Sequence, residues 1–134
     1  MNASASGSCL CGAVVFRITL PTKWVAHCHC TRCQRAHGAA FVTWVGVDEN
    51  HAKIEDNGLM LRWHTAQEGG SRGFCGRCGS PLFFKSARYP DELHIARALF
   101  LELIDREPET NVFYDTHVKW VAIEGNLISE TDPA

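Results

Sequence analysis

The sequence predicts a mainly β protein with at most one short helix, and three observations lead there. Short runs rich in β-branched and aromatic residues alternate with clusters of glycine, proline, asparagine and aspartate. The length, 134 residues, suits one ordinary domain, and 46% apolar residues are enough for a core that still gains from staples. Seven cysteines in tight clusters supply the staples. Strands are expected at Ala13 to Thr19, Trp24 to Cys28, Phe41 to Val47, Leu59 to His64, Ser71 to Phe74, Leu82 to Ser86 and Val118 to Ile123. Pro21, Asp48-Glu49-Asn50, Asp56-Asn57-Gly58, Gly69-Gly70, Gly79-Ser80-Pro81 and Tyr89-Pro90-Asp91 punctuate them. Leu93 to Arg106 reads as a strand followed by a short helix that Pro108 ends from beyond.

Thirteen basic and fifteen acidic side chains give a net charge of −2 with no basic run, which argues against nucleic acid or an anionic membrane as partner. No apolar stretch nears the roughly 20 residues of a membrane helix; the longest, Ile95 to Ile104, is broken by Arg97 and Glu102. Residues 1–8 are small and polar, without the pattern of a secretory signal, and read as a disordered tail. Residues 126–134 read as a C-terminal tail and 9–125 as a single zinc-binding domain. An odd cysteine number without an export signal argues against a disulfide framework and for a reducing, cytoplasmic setting.

The cysteines carry the chemistry. They form Cys9-Leu10-Cys11, Cys28-His29-Cys30-Thr31-Arg32-Cys33 and Cys75-Gly76-Arg77-Cys78. Zinc takes about four soft ligands at roughly 2.3 Å, and a catalytic zinc keeps one position open. Cys9 and Cys11, on one face of a strand, can join Cys75 and Cys78, on a glycine-bearing turn, as a closed four-thiolate site. Cys28 and Cys30, with Cys33 after a bend at Thr31-Arg32, make a three-thiolate site with an open corner. His27, His29, His37 or a distant carboxylate could close that corner, although His29 points away from the sulfurs in a strand. Another pairing, Cys30 and Cys33 with Cys75 and Cys78, spans 41 intervening residues, well beyond the usual ribbon spacing.

The matching stretches Cys9 to Val14, Cys28 to Cys33 running on through Arg35, Gly38 and Phe41, Phe74 to Leu82, and more weakly Val112-Phe113 and Lys119-Trp120 resemble the glutathione-dependent formaldehyde-activating enzymes, grouped with centromere protein V. The likeness spans about Gly7 to Trp120, with all seven cysteines in register. It implies a β-tent fold, a structural zinc on Cys9, Cys11, Cys75 and Cys78, and a second zinc on Cys28, Cys30 and Cys33. Two positions depart from the pattern: Gln34 stands where arginine is usual, and Asn111 where histidine often precedes the Val-Phe pair.

The reaction implied by the resemblance is that of S-(hydroxymethyl)glutathione synthase, a carbon–sulfur lyase that joins the glutathione thiol to formaldehyde or a related small aldehyde. Arg32 and Arg35 could pair with glutathione carboxylates, Arg77 sits in the other metal loop, and Trp120 is the candidate pocket wall. The acid pairs Asp48-Glu49 and Asp91-Glu92 fall in turn contexts and read as solvated. Two other functions fit the cysteines: a non-catalytic zinc-stabilised binding module, and a thiol redox enzyme related to methionine sulfoxide reductases. The redox enzyme needs a reactive cysteine outside metal ligation.

Overall fold

The runs of β-branched and aromatic residues form strands, and their period of two decides which side each residue faces. The structure, a computed structural model, describes residues 3–67, 69–123 and 127–131. In chain order the strands are β1 (Ser4–Ser8), β2 (Val15–Thr19), β3 (Trp24–Cys28), β4 (Val42–Asp48), β5 (Ala52–Glu55), β6 (Leu61–Thr65), β7 (Gly70–Cys75), β8 (Pro81–Ser86), β9 (Glu92–Ala96), β10 (Thr110–Val112) and β11 (Ile128–Ser129). Helix α1 (Thr31–His37) lies between β3 and β4. One sheet has the order β1-β2-β5 and the other β11-β10-β3-β4-β9-β8-β7-β6. Among the described residues only the β11-β10 and β10-β3 pairings are parallel. No helix among the described residues is long and apolar enough to cross a membrane.

The larger sheet has two different faces. Val25, Val45, Val47, Phe83 and Ile95 point to one side, where they meet Ala5, Phe16 and Ile18 of the small sheet. Phe16 is fully buried there and packs edge-on against Phe83 and Phe100, at 5.8 and 5.0 Å between ring centres. Burying one such ring contributes about 1.5–3 kcal/mol. The alternate residues, including Trp24, Trp44, Phe84 and His94, point to the opposite side and line a cavity instead.

Several expectations change. Ser4–Ser8 is a strand rather than a disordered tail, because its backbone pairs with β2 from Ser4↔Thr19 to Ser8↔Val15, and its small residues fit under Phe16 and Leu99. Ile128–Ser129, expected in a loose tail, is β11, while residues 132–134 lie outside the described residues. Described residues within Val118–Ile123 form no strand; the place beside β10 is taken by β11. After β9 comes one 3-10 turn, Arg97–Leu99, in place of the expected helix. The α-helix is α1, where a bend was expected: the Cys30 sulfur caps its first turn and Gly38, at φ 60°, ends it in the left-handed conformation.

Candidate metal centres and the adjoining cavity

Both cysteine groups assemble. The sulfurs of Cys9, Cys11, Cys75 and Cys78 lie within 4.8 Å of one another, and so do those of Cys28, Cys30 and Cys33. All seven cysteines are thereby assigned, and among the described residues neither group includes a histidine or carboxylate. The pairing of Cys30 and Cys33 with Cys75 and Cys78 does not occur.

Cys9 and Cys11 sit on a turn after β1 rather than on a strand, with Gly12 at φ 81°. Of their partners, Cys75 ends β7 and Cys78 lies on the turn to β8, where Gly79 also has φ 81°. The Cys9–Cys11 and Cys11–Cys75 sulfur separations are 3.7 and 3.8 Å. A tetrahedron with 2.3 Å metal–sulfur bonds has edges of about 3.8 Å, so these sulfurs fit a zinc-sized ion. Backbone N–H groups of Val14, Arg77 and Cys78 donate to the sulfurs of Cys9 and Cys75. The Ser80 side chain and backbone, followed by Cys11, hold the Cys78 thiol down at about 5, which suits a thiolate ligand.

In the second group Cys28 ends β3, Cys30 caps α1, and Cys33 lies within α1. Cys28 and Cys33 are buried, with sulfurs 3.5 Å apart. Hydrogen bonds from the other two thiols push Cys33 well below the ordinary thiol range, and Arg72 and Trp44 add to the effect. Cys28 is driven the other way by those same thiols and by burial. The Trp44 indole N–H donates to the Cys33 sulfur at 3.5 Å, and both terminal nitrogens of Arg72 approach it at 3.7 and 3.6 Å. These donors orient one sulfur and would offset the charge of three thiolates around a metal. Three convergent sulfurs, with no fourth ligand side chain among the described residues, fit a metal that keeps an open position.

Cys28, Cys30 and Cys33 line a cavity of about 590 Å³; the four-cysteine group does not. Arg32 lines it too. Arg35 and Trp120 do not, and Trp120 is 74% exposed. Glu92, expected to be solvated, is on the cavity wall, ion-paired to Lys23 at 2.7 Å and hydrogen-bonded to His94 at 3.0 Å. Arg72, Arg88 and the aromatic lining were missed by sequence reasoning. Arg72 stands 39 residues from Cys33, and only strand pairing brings it there.

The two departing positions meet at His29, not in the cavity. Asn111 bonds the buried His29 ring at 2.9 Å. Gln34 donates to the His29 carbonyl at 2.8 Å and to that of Thr116 at 3.1 Å. Neither lines the cavity, so both act by tying α1 and β10 to the loop that carries Cys28 and Cys30.

Comparison with known proteins agrees with this geometry. Residues 4–116 match the family model described as glutathione-dependent formaldehyde-activating enzyme. A Halomonas elongata relative carrying the same family description is 28% identical over 125 residues, spanning 88% of this chain and 80% of its own length. A crystal structure of a Rhodobacter sphaeroides protein shares the fold, with a TM-score of 0.62 at 20% identity over 73% of this chain and 89% of that one.

Proposed function

The chain belongs to the glutathione-dependent formaldehyde-activating enzyme family, and on that premise we propose that it joins a thiol, glutathione, to formaldehyde or a related small aldehyde at a zinc held by Cys28, Cys30 and Cys33. The observation that carries this reading is the cavity, which takes in the three-cysteine group and excludes the four-cysteine group. Zinc on Cys9, Cys11, Cys75 and Cys78 is then structural. The overall change is an addition: an S–H bond and the carbonyl π bond break, C–S and O–H bonds form, and no oxidant is consumed.

Zinc at the open site would supply a position where an incoming thiol is held as thiolate at neutral pH. The chain's own residues supply the rest. Arg72 and Trp44 fix the Cys33 sulfur by N–H donation. The Arg72 guanidinium also lines the cavity, where it would stabilise negative charge forming on the carbonyl oxygen. Arg32 and Arg88 also line the cavity, and their cations suit the carboxylates of glutathione. Because every cysteine belongs to a metal-type group, no thiol is left over for redox chemistry, and addition is favoured over a reductase.

Cobalt substitution tests the reading. Millimolar glutathione should change the visible spectrum of cobalt at the three-cysteine site, because a fourth sulfur alters its ligand field, and Cys30→Ala should abolish the change. An unchanged spectrum would leave a zinc-stabilised binding module as the better description.

A further inference from the structure

A one-carbon aldehyde has no apolar surface, yet the cavity floor is built from aromatic rings. Along β3 the floor runs from Cys28 through Ala26 to Trp24, four residues or about 13 Å. Strand pairing sets Gly46, His94, Phe84 and Arg72 in one row beside Trp24, and Trp44 in the next row toward the sulfurs. A Cβ on Gly46 would collide with the Trp24 indole, so that ring lies across the sheet. Trp24, Trp44 and Phe84 surround His94 with ring centres at 4.6, 6.5 and 5.7 Å. Phe113, also in the lining, faces the Arg88 guanidinium at 5.9 Å.

This arrangement is costly for a polar ligand alone. The carboxylates and amides of glutathione would be desolvated against indole and phenyl faces if they lay on the floor. They are better met by the guanidiniums of Arg32 and Arg88. The floor is left for something flat and apolar that starts at the sulfurs and extends about two residues' spacing or more along β3.

We propose that the aldehyde partner carries an aromatic body, as in a benzaldehyde-type substrate, which lies along the Trp24–Trp44–Phe84 floor while its carbonyl carbon meets the thiol beside Cys28, Cys30 and Cys33. The inference rests on the thiol-addition reading above and specifies its substrate. The step is the same addition: the thiol S–H and carbonyl π bonds break, the C–S and O–H bonds form, and the product is a thiohemiacetal of an aryl aldehyde.

The test uses the full-length, zinc-loaded protein and two unreactive probes, benzyl alcohol for the aromatic body and methanol for the one-carbon case. Indole N–H signals of Trp24 and Trp44 in nitrogen-15 NMR spectra should shift saturably with benzyl alcohol and bind methanol at least tenfold more weakly, the scale set by burying one ring. Ala26→Leu, which fills the floor, should weaken benzyl alcohol at least tenfold. With glutathione, rate enhancement over the uncatalysed reaction should be at least tenfold larger for benzaldehyde than for formaldehyde. If benzyl alcohol leaves both indole signals unmoved while cobalt still responds to glutathione, the aromatic substrate is overturned and thiol capture stands. If benzyl alcohol binds but cobalt is silent to glutathione, thiol addition itself fails, and with it the aldehyde assignment. Should Ala26→Leu fail to fold, the titrations of the parent protein decide alone.

Discussion

Cys11 and Cys75 are separated by 64 positions in the chain, whereas Cys28 and Cys33 are separated by five, and the two groups differ accordingly in what they hold together. Closing the longer loop costs about 2 kcal/mol more chain entropy than closing the shorter one, so an ion on the four-cysteine group removes that much more freedom from the unfolded chain. That group joins the turn after β1 to the β7–β8 turn, and Cys9 and Cys75 belong to the main core. The three-cysteine group belongs to the smaller cluster with Trp44 and Ala96, on the cavity side of the large sheet. Similar sulfur chemistry thus serves closure in one place and access in the other.

The largest effect should come from Cys75→Ser. Its sulfur is fully buried and accepts two backbone N–H groups. Structural zinc contributes a nominal 10–16 kcal/mol or so in small zinc domains, comparable to the whole stability of about 5–15 kcal/mol of a typical domain. The variant should be insoluble. A soluble Cys75→Ser that melts cooperatively with one metal fewer would show that the long closure is dispensable.

Cys30→Ala should do much less to the fold. Its loss removes one ligand from a short segment that α1 and β3 already position, so circular dichroism should match the parent while metal content falls from two ions to one. Two ions per chain in this variant would mean that the three cysteines do not form one site.

Where local pattern and partner agreed, the fold was legible. Trp24–Cys28 has the expected bounds because its β-branched and aromatic residues alternate between core and cavity. The cysteine groups were legible from spacing alone, since clustered soft ligands have few other uses. β1 was hidden because Ser-Ala-Ser-Gly-Ser carries no apolar alternation and gains its strand from β2. The onset of α1 was hidden because a cysteine sulfur does the capping that Ser, Thr, Asp or Asn would announce. Arg72 and the aromatic floor depend on which strands are neighbours, and the linear pattern does not carry that information.

Arg72→Met sharpens the comparison by touching one group only. Without its two donors to the Cys33 sulfur, three thiolates face the ion with less offsetting charge and looser orientation. Metal affinity of the three-cysteine site should change by about 10–100-fold, the range for losing an outer hydrogen-bond partner, as measured by chelator competition. The four-cysteine site should keep its affinity. Arg72→Lys should fall between parent and Arg72→Met, since lysine keeps the charge but not the planar fork. Equal loss at both sites would mean that Arg72 acts through the fold.

Acid would strip a metal held by either group by protonating its thiolates, so a proton-linked contact remote from both is needed to calibrate that effect. Asp105 supplies it. Burial opposes its charge, but hydrogen bonds from the Thr22 hydroxyl and backbone N–H, at 2.9 and 3.1 Å, prevail and hold its carboxyl below the usual range. A folded-state value below the unfolded one means the stabilisation is fully present above the ordinary carboxyl pKa and fades as pH falls through the folded value. Asp105→Asn should therefore cost about 1 kcal/mol at neutral pH, the low end for a charge-assisted bond because the side chain is 22% exposed. The gap between parent and variant should stay constant from pH 7 to about 5 and close below about 4 in denaturant titrations. A gap that persists at pH 3, or that widens there, would show that Thr22 gains nothing from the Asp105 charge and that acid sensitivity belongs to the metal groups alone.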